Sequence, residues 1–236
     1  MTLRIKHLAL ALALLPAAAM AEGPSAAAGG MAYNPVTDAR LQNPEARNWL
    51  STRGNYAGWG YSPLDKINEK NVAKMGLAWS YTTGVQEGHQ SPPIVNDGYM
   101  YITTPGNQVI AMDARNGQEL WRYKKEIPPE LFQLHPTNRG VALYGDKLYV
   151  ATTDCNLVAL DAKTGKVLWK ADTRDGSGRG INSTGAPEVA GNVVVIGNGG
   201  AEYDTRGYVS AYGLADGKLK WRFHTVPRDP KLGPQD

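Results

Sequence analysis

The sequence predicts an all-β fold, a β-propeller of four-stranded antiparallel blades of which three to four are present. Two observations carry this reading. The first is a repeated phrase. Ala111 and Trp121, Ala159 and Trp169, and Ala211 and Trp221 each stand ten residues apart, with Gly117, Gly165 and Gly217 in the turns between. Trp79 lies 42 residues before Trp121, and the later gaps are 48 and 52, a period that marks a repeat architecture. The second is the texture inside each period. Short β-branched or alternating runs are separated by Asn-Gly, Asp-Gly and Gly-Asp pairs, the pattern of tight hairpins. Four such runs per period make one propeller blade.

Taken in chain order, Arg4, Lys6 and His7 precede an apolar stretch at residues 8–15 and an Ala19-Met20-Ala21 cleavage site. That layout assigns residues 1–21 to a secretory signal peptide, with an apolar stretch too short to span a bilayer. No cysteine follows the cleavage site, so no lipoprotein anchor is expected, and the mature protein is read as exported without a membrane anchor. Residues 22–34 are small and flexible in composition, a linker. Residues 35–236 are assigned to the propeller. Their first part, 45–79, is less regular, with a short helical turn expected within 68–75 and a strand within 77–81. The first full blade is expected to start at Pro93 and run to Tyr123. The second runs from Val141 to Trp169, and the third from Gly185 to Thr225 with a long middle loop at 197–207. The tryptophans read as packing between blades, since a bulky aromatic on an outer strand fills the wedge to its neighbour.

Composition narrows the function classes. Hydrophobic residues at 42% with 27 Gly and 15 Pro describe a globular chain rich in turns. The formal charge of +3 comes with no clustered Lys/Arg run, which argues against nucleic acid as a partner. The single cysteine, Cys155, excludes an internal disulfide framework, a CxxC metal site and a CxxCH haem site. It is expected inside a strand at 154–160 as a small buried side chain. No Gly-x-Ser-x-Gly, P-loop or dinucleotide fingerprint occurs.

The candidate chemistry gathers at blade beginnings. Gly197-Asn198-Gly199-Gly200-Ala201-Glu202 reads either as a structural glycine-rich turn or as a run that brings backbone amides to a flat or anionic ligand, followed by one carboxylate for a hard cation. Asn138-Arg139-Gly140 places an arginine where blade 2 begins, which reads either as a surface arginine beside a turn or as one suited to paired hydrogen bonds with a carboxylate or quinone oxygen. Ser183-Thr184-Gly185 brings a hydroxyl to the equivalent place in blade 3, and His89-Gln90-Ser91 a polar group to blade 1. Three polar groups at equivalent positions point to a ring at the propeller mouth. His89 and His135 lack further ligands at metal spacing and read as hydrogen-bonding groups.

Together these residues resemble the pyrroloquinoline quinone (PQQ)-dependent alcohol dehydrogenases, the methanol and ethanol quinoproteins. The resemblance rests on Asn48-Trp49-Leu50, Gly60-Tyr61-Ser62-Pro63-Leu64, Gly88-His89, Thr137-Asn138-Arg139-Gly140, the Val158–Gly165 phrase of blade 2, Thr184-Gly185-Ala186-Pro187, and Gly199-Gly200-Ala201-Glu202 followed by Arg206-Gly207-Tyr208. It implies an eight-bladed propeller holding PQQ beside a calcium or lanthanide ion, oxidation of an alcohol to an aldehyde in the periplasm, and transfer of electrons to a cytochrome c. It also implies that Glu202 ligates the metal, that Gly199, Gly200 and Ala201 lie against the cofactor, and that Gln90, Arg139 and Thr184 bind its oxygens. Three departures accompany it. Gln90 stands where many members carry glutamate. Gln133-Leu134 stand where many carry a disulfide of adjacent cysteines. The family's catalytic aspartate and its asparagine metal ligand belong to later blades, beyond Asp236. The chain is therefore expected to be the N-terminal part of a longer enzyme, inactive by itself. The competing reading is a non-enzymatic propeller of the same superfamily acting as a protein-binding scaffold.

Overall fold

A computed structural model describes residues 31–131, 133, 136–177, 181–227, 229 and 231. The signal peptide at 1–21, most of the expected linker and all but two residues of the tail from 228 lie outside them. Three four-stranded antiparallel sheets follow one another along the chain. The first contains β1 (Ile94–Asn96), β2 (Tyr99–Thr104), β3 (Gln108–Asp113) and β4 (Glu119–Lys124). The second contains β5 (Ala142–Tyr144), β6 (Lys147–Ala151), β7 (Asn156–Asp161) and β8 (Val167–Asp172). The third contains β9 (Glu188–Ala190), β10 (Val193–Gly197), β11 (Tyr208–Gly213) and β12 (Leu219–His224). In each, spatial order equals chain order, which is the blade meander the repeat predicts.

The register explains the repeated phrase. Ala111 lies directly opposite Trp121, Ala159 opposite Trp169, and Ala211 opposite Trp221, and each ladder shifts by a bulge right after the alanine. On the other side Ala111 faces Tyr101 and Ala159 faces Tyr149. Residues directly opposite share a face of the sheet, so each alanine is the small residue in an aromatic row. The next blade settles into that gap. Tyr101, Ala111 and Trp121 pack with Leu148, Val150, Val158 and Leu160, while Tyr149 and Ala159 pack with Val194, Ile196 and Tyr212.

Three of the tryptophans are also docked on the blade that follows them. The indole N–H of Trp79 donates to Ala114 O (3.2 Å), that of Trp121 to Ala162 O (3.2 Å), and that of Trp169 to Leu214 O (3.1 Å). The rings cover Gly117, Gly165 and Gly217, where an added Cβ would lie 2.5, 2.5 and 2.6 Å from ring carbon. The turn glycine is therefore a space requirement imposed by the preceding blade. Trp221, at the end of this ladder, is 45% exposed and Phe223 36%.

Residues 77–81, expected as a strand, are not one. Leu77 is exposed, and the segment is held by side chains: Trp79 docks as above, and Tyr81 donates to Glu119 and accepts from Arg122 Nη2 (2.5 Å). A strand needs a ladder partner, and none lies beside these residues among the described ones. The expected helical turn within 68–75 is a single 3-10 turn at Val72–Lys74.

The least legible part of the sequence closes the inner edge. Trp49 pairs with Val95 on the free edge of β1, and Val36 pairs with Gly145, the turn between β5 and β6. Between them a short helix α1 (Asp38–Gln42) is capped by Thr37, and Val36, Leu41 and Leu50 enter the core. The expected linker ends earlier than Pro35. Tyr33 stacks edge-on against Tyr99 and donates to Gly145 O (3.1 Å), and Asn34 binds the Asp97 carboxylate (3.0 Å). An aromatic ring gains more from burial than a small linker residue can.

Arg40 locks this segment by donating to both oxygens of Glu45 (2.8 and 2.9 Å), to Asn34 O (2.7 Å) and to Asn96 Oδ1 (2.9 Å). The Arg40 guanidinium, helped by the Asn48 amide, holds the Glu45 carboxyl at about 2, below its ordinary 4.5. A carboxyl depressed in the folded state contributes stability above its unfolded value and loses it as the pH falls. Glu45 is nearly half exposed, so solvent keeps the contribution small. Glu45→Gln is expected to unfold at a slightly lower temperature than the parent at pH 7. Melting curves recorded between pH 5 and pH 2 should show that difference closing.

Candidate functional site

Because the strands alternate in direction, the segments leading into β1, β5 and β9 share one end of the propeller with the loops joining second to third strands. The segments meet closely. Gly140 has φ +125°, and a Cβ on it would lie 3.6 Å from Ser91 Oγ and 3.7 Å from the Ala186 Cβ, so the starts of all three blades converge there. Asn138, fully buried, sets this geometry by donating to Ala151 O (2.8 Å) and accepting from Gly140 N (3.0 Å). Between the two buried flanks Arg139 is pushed outward and exposed. Its backbone N–H donates to Thr184 O (3.0 Å) and its guanidinium to Thr184 Oγ1. Two of the predicted oxygen-binding residues are thus in direct contact across blades 2 and 3. Gln90, the third, precedes Ser91, is exposed, and makes no hydrogen bond among the described residues.

The Glu202 turn is stitched to the same place. Gly199 pairs with Asn182, its N–H donating to Asn182 O at 2.8 Å, and a Cβ on Gly199 would lie 2.3 Å from Asn182 Oδ1. Gly200 is buried with φ +121°, a conformation that glycine alone adopts without strain. The 3-10 turn Ala201–Tyr203 then carries Ala201 and Glu202 into solvent. The Glu202 carboxylate has no hydrogen bond or ion pair among the described residues. A lone carboxylate on an ordered turn is the donor a hard cation takes. Among the described residues no three His, Cys, Asp or Glu side chains converge, so any further ligands come from a bound molecule or from other segments. A cleft of about 780 Å³ opens beside the turn, bordered by Ala201, Arg206, Arg222 and His224. Arg222 there is committed structurally, lying 4.4 Å from the Tyr208 ring centre and donating to Thr173 O (2.9 Å).

The remaining candidates sort clearly. His89 is hydrogen-bonded on both ring nitrogens, to Thr83 Oγ1 (3.0 Å) and Glu87 O (2.9 Å), as its spacing implied. His135 and Leu134 lie outside the described residues. Gln133 accepts from Thr153 Oγ1 (2.6 Å), and Thr153 in turn accepts from Asn107 (2.9 Å).

Cys155 corrects one expectation. It precedes β7 rather than lying in it, at φ +61°, because the tight turn from β6 needs a left-handed residue there. It is buried as expected, and burial pushes its thiol up to about 12. A native-state assay with Ellman's reagent is expected to find the thiol unreactive, with full reaction on unfolding.

Sequence reasoning missed Asn182 and gave Asn198 no role of its own within the 197–202 run. The asparagine was visible there, but its partners Arg206 and Tyr208 meet it only once the loop has folded back on the sheet.

Residues 49–236 match the family described as "PQQ: Glucose/ethanol/alcohol dehydrogenase, beta-propeller domain". The chain is 44% identical, over 99% of its length, to quinohemoprotein alcohol dehydrogenase ADH-IIG of Pseudomonas putida, of which it covers 32%. A solved structure of that alcohol dehydrogenase from Pseudomonas putida HK5 superposes with a TM-score of 0.77 at 45% identity, covering 84% of this chain and 30% of that one. A europium-containing methanol dehydrogenase is similar at 34% identity and a TM-score of 0.74, over 80% of this chain and 34% of its own. A 1-butanol dehydrogenase (cytochrome c) of Thauera butanivorans is 43% identical over 70% of this chain and 24% of its own length. The chain thus spans about a third of the length of the first of these relatives. With its three blades and the spacing of its glycine turns, the chain belongs to the PQQ glucose/ethanol/alcohol dehydrogenase family of β-propellers.

Proposed function

We propose that this chain forms the first blades of a periplasmic quinoprotein that oxidises a primary alcohol to an aldehyde and passes the electrons to a cytochrome c. The observation that carries the proposal is the meeting of Arg139 and Thr184 beside the Gly199–Glu202 turn, with the Glu202 carboxylate unpaired. These residues fit the group the family implies. The small side at Gly199, Gly200 and Ala201 leaves room for a flat ring system against backbone. Arg139, Thr184 and Gln90 offer donors to its oxygens, and Glu202 offers a hard oxygen ligand to calcium or a lanthanide. When bound, PQQ supplies the redox chemistry while the cation polarises its carbonyl as a Lewis acid.

The protein's own contribution is placement. Arg139 orients by paired hydrogen bonds, and Thr184 is fixed in turn by the Arg139 backbone. The names of relatives support the substrate class and acceptor, one being a 1-butanol dehydrogenase (cytochrome c) and another a europium-containing methanol dehydrogenase. The signal peptide read at residues 1–21 supports export.

The test is reconstitution. The full-length protein with PQQ and either calcium or lanthanum is expected to reduce cytochrome c when a primary alcohol is added. The chain of residues 1–236, in equilibrium dialysis with PQQ and calcium, is expected to bind weakly and to turn over no alcohol. Alcohol-independent behaviour of the full-length protein under all these conditions would overturn the reading.

A further inference from the structure

The third blade departs from the other two at one junction. Its second and third strands are joined by residues 198–207, where blades 1 and 2 use 105–107 and 152–155. A longer loop has more conformations to lose, so its tip is placed only if something ties the base. Asn198 is that tie. Its backbone N–H donates to Tyr208 O (3.3 Å), its Oδ1 accepts from Tyr208 N (2.7 Å), and its Nδ2 donates to Arg206 O (3.3 Å). The side chain therefore adds one more rung beyond the last strand pair, Gly197 with Val209. One residue later Gly199 is paired to Asn182, so the turn bearing Glu202 leaves from a base held on both sides.

We propose that Asn198 is a positioning residue for a hard cation at Glu202, an inference that rests on the metal-ligand reading of Glu202. It touches neither cation nor cofactor. It acts through Tyr208 and Arg206, which set where the loop returns to the sheet. Asn198→Ala removes these two side-chain bonds and a longer one from Nδ2 to Gly199 O (3.5 Å), and strands the Tyr208 N–H, whose residue is 3% exposed, without its acceptor. The loop then samples more arrangements, and the carboxylate must be ordered at the expense of cation binding.

The experiment is a terbium(III) luminescence titration of the full-length protein with PQQ bound. The unsubstituted protein is expected to show a saturable signal that Glu202→Gln abolishes. Asn198→Ala should weaken that Glu202-dependent binding about tenfold, the lower end of what losing an outer partner of a metal ligand costs. In the Glu202→Gln background, adding Asn198→Ala should change nothing. Asn156→Ala, which removes a comparable amide contact to Asp154 at the blade 2 loop, should leave terbium affinity unchanged. Equal affinity of Asn198→Ala and the parent, with Glu202→Gln still inactive, overturns the inference and leaves the metal reading standing. Equal weakening by Asn198→Ala with and without Glu202 also overturns it, since the effect then bypasses the carboxylate. A parent protein with no Glu202-dependent signal overturns both.

Discussion

Gly165→Ala is expected to destabilise the protein by about 3 kcal/mol or more, as much as removing the tryptophan that covers it. Two costs add. The glycine has φ +70°, where an L-residue costs about 1–2 kcal/mol. The new methyl would also lie 2.5 Å from Trp121 Cε3 and 2.8 Å from Cδ2, so the indole must move. That ring is only 7% exposed and its N–H is spent on Ala162 O, so moving it opens the interface of blades 1 and 2. Trp121→Ala is expected to cost about 3–5 kcal/mol for the same reason. In the chain of residues 1–236, Trp221→Ala, at the same place in the repeat, is expected to cost less than about 1 kcal/mol, because that ring is there 45% exposed and has no docking carbonyl among the described residues. Urea unfolding midpoints of the three variants check this. Equal costs for the two tryptophan variants would contradict the docking ladder.

Glu202→Gln is expected to abolish metal-dependent reconstitution of the full-length enzyme while leaving the stability of the metal-free protein within about 0.5 kcal/mol. The carboxylate is exposed and unpaired, so folding does not depend on it. Glutamine keeps the shape and loses the charge that a hard cation needs. Cytochrome c reduction with PQQ and calcium, measured beside the melting temperature of the metal-free protein, separates the two effects. Retained activity would remove Glu202 from the site. A large drop in melting temperature would assign it a structural role instead.

Most of the blade architecture was legible because its determinants are local. Turn chemistry at Asn96-Asp97-Gly98 or Thr164-Gly165 and two-residue alternation in the strands depend on neighbours in the chain, and those boundaries match closely. Residues 31–56 were illegible because their order comes from partners far away: Trp49 with Val95, Val36 with Gly145, Arg40 with Asn96. Residues 77–81 misled for the opposite reason. They have the composition of a strand but no ladder partner beside them. Cys155 has the apolar character of a strand residue, yet the turn claimed it.

From the sequence alone came the repeat, the three full blades, the tryptophan–glycine spacing and the choice of Arg139, Thr184 and Glu202 as candidates, since each is a pattern of residue types at fixed separation. Only the tertiary structure showed that Trp79, Trp121 and Trp169 each cover the glycine of the blade that follows, because docking joins segments 35, 41 and 45 residues apart. It also decided which candidates belong together. Arg139 touches Thr184 and Gly199 pairs with Asn182, contacts between blades set by how the sheets stack, while Gln90 makes none.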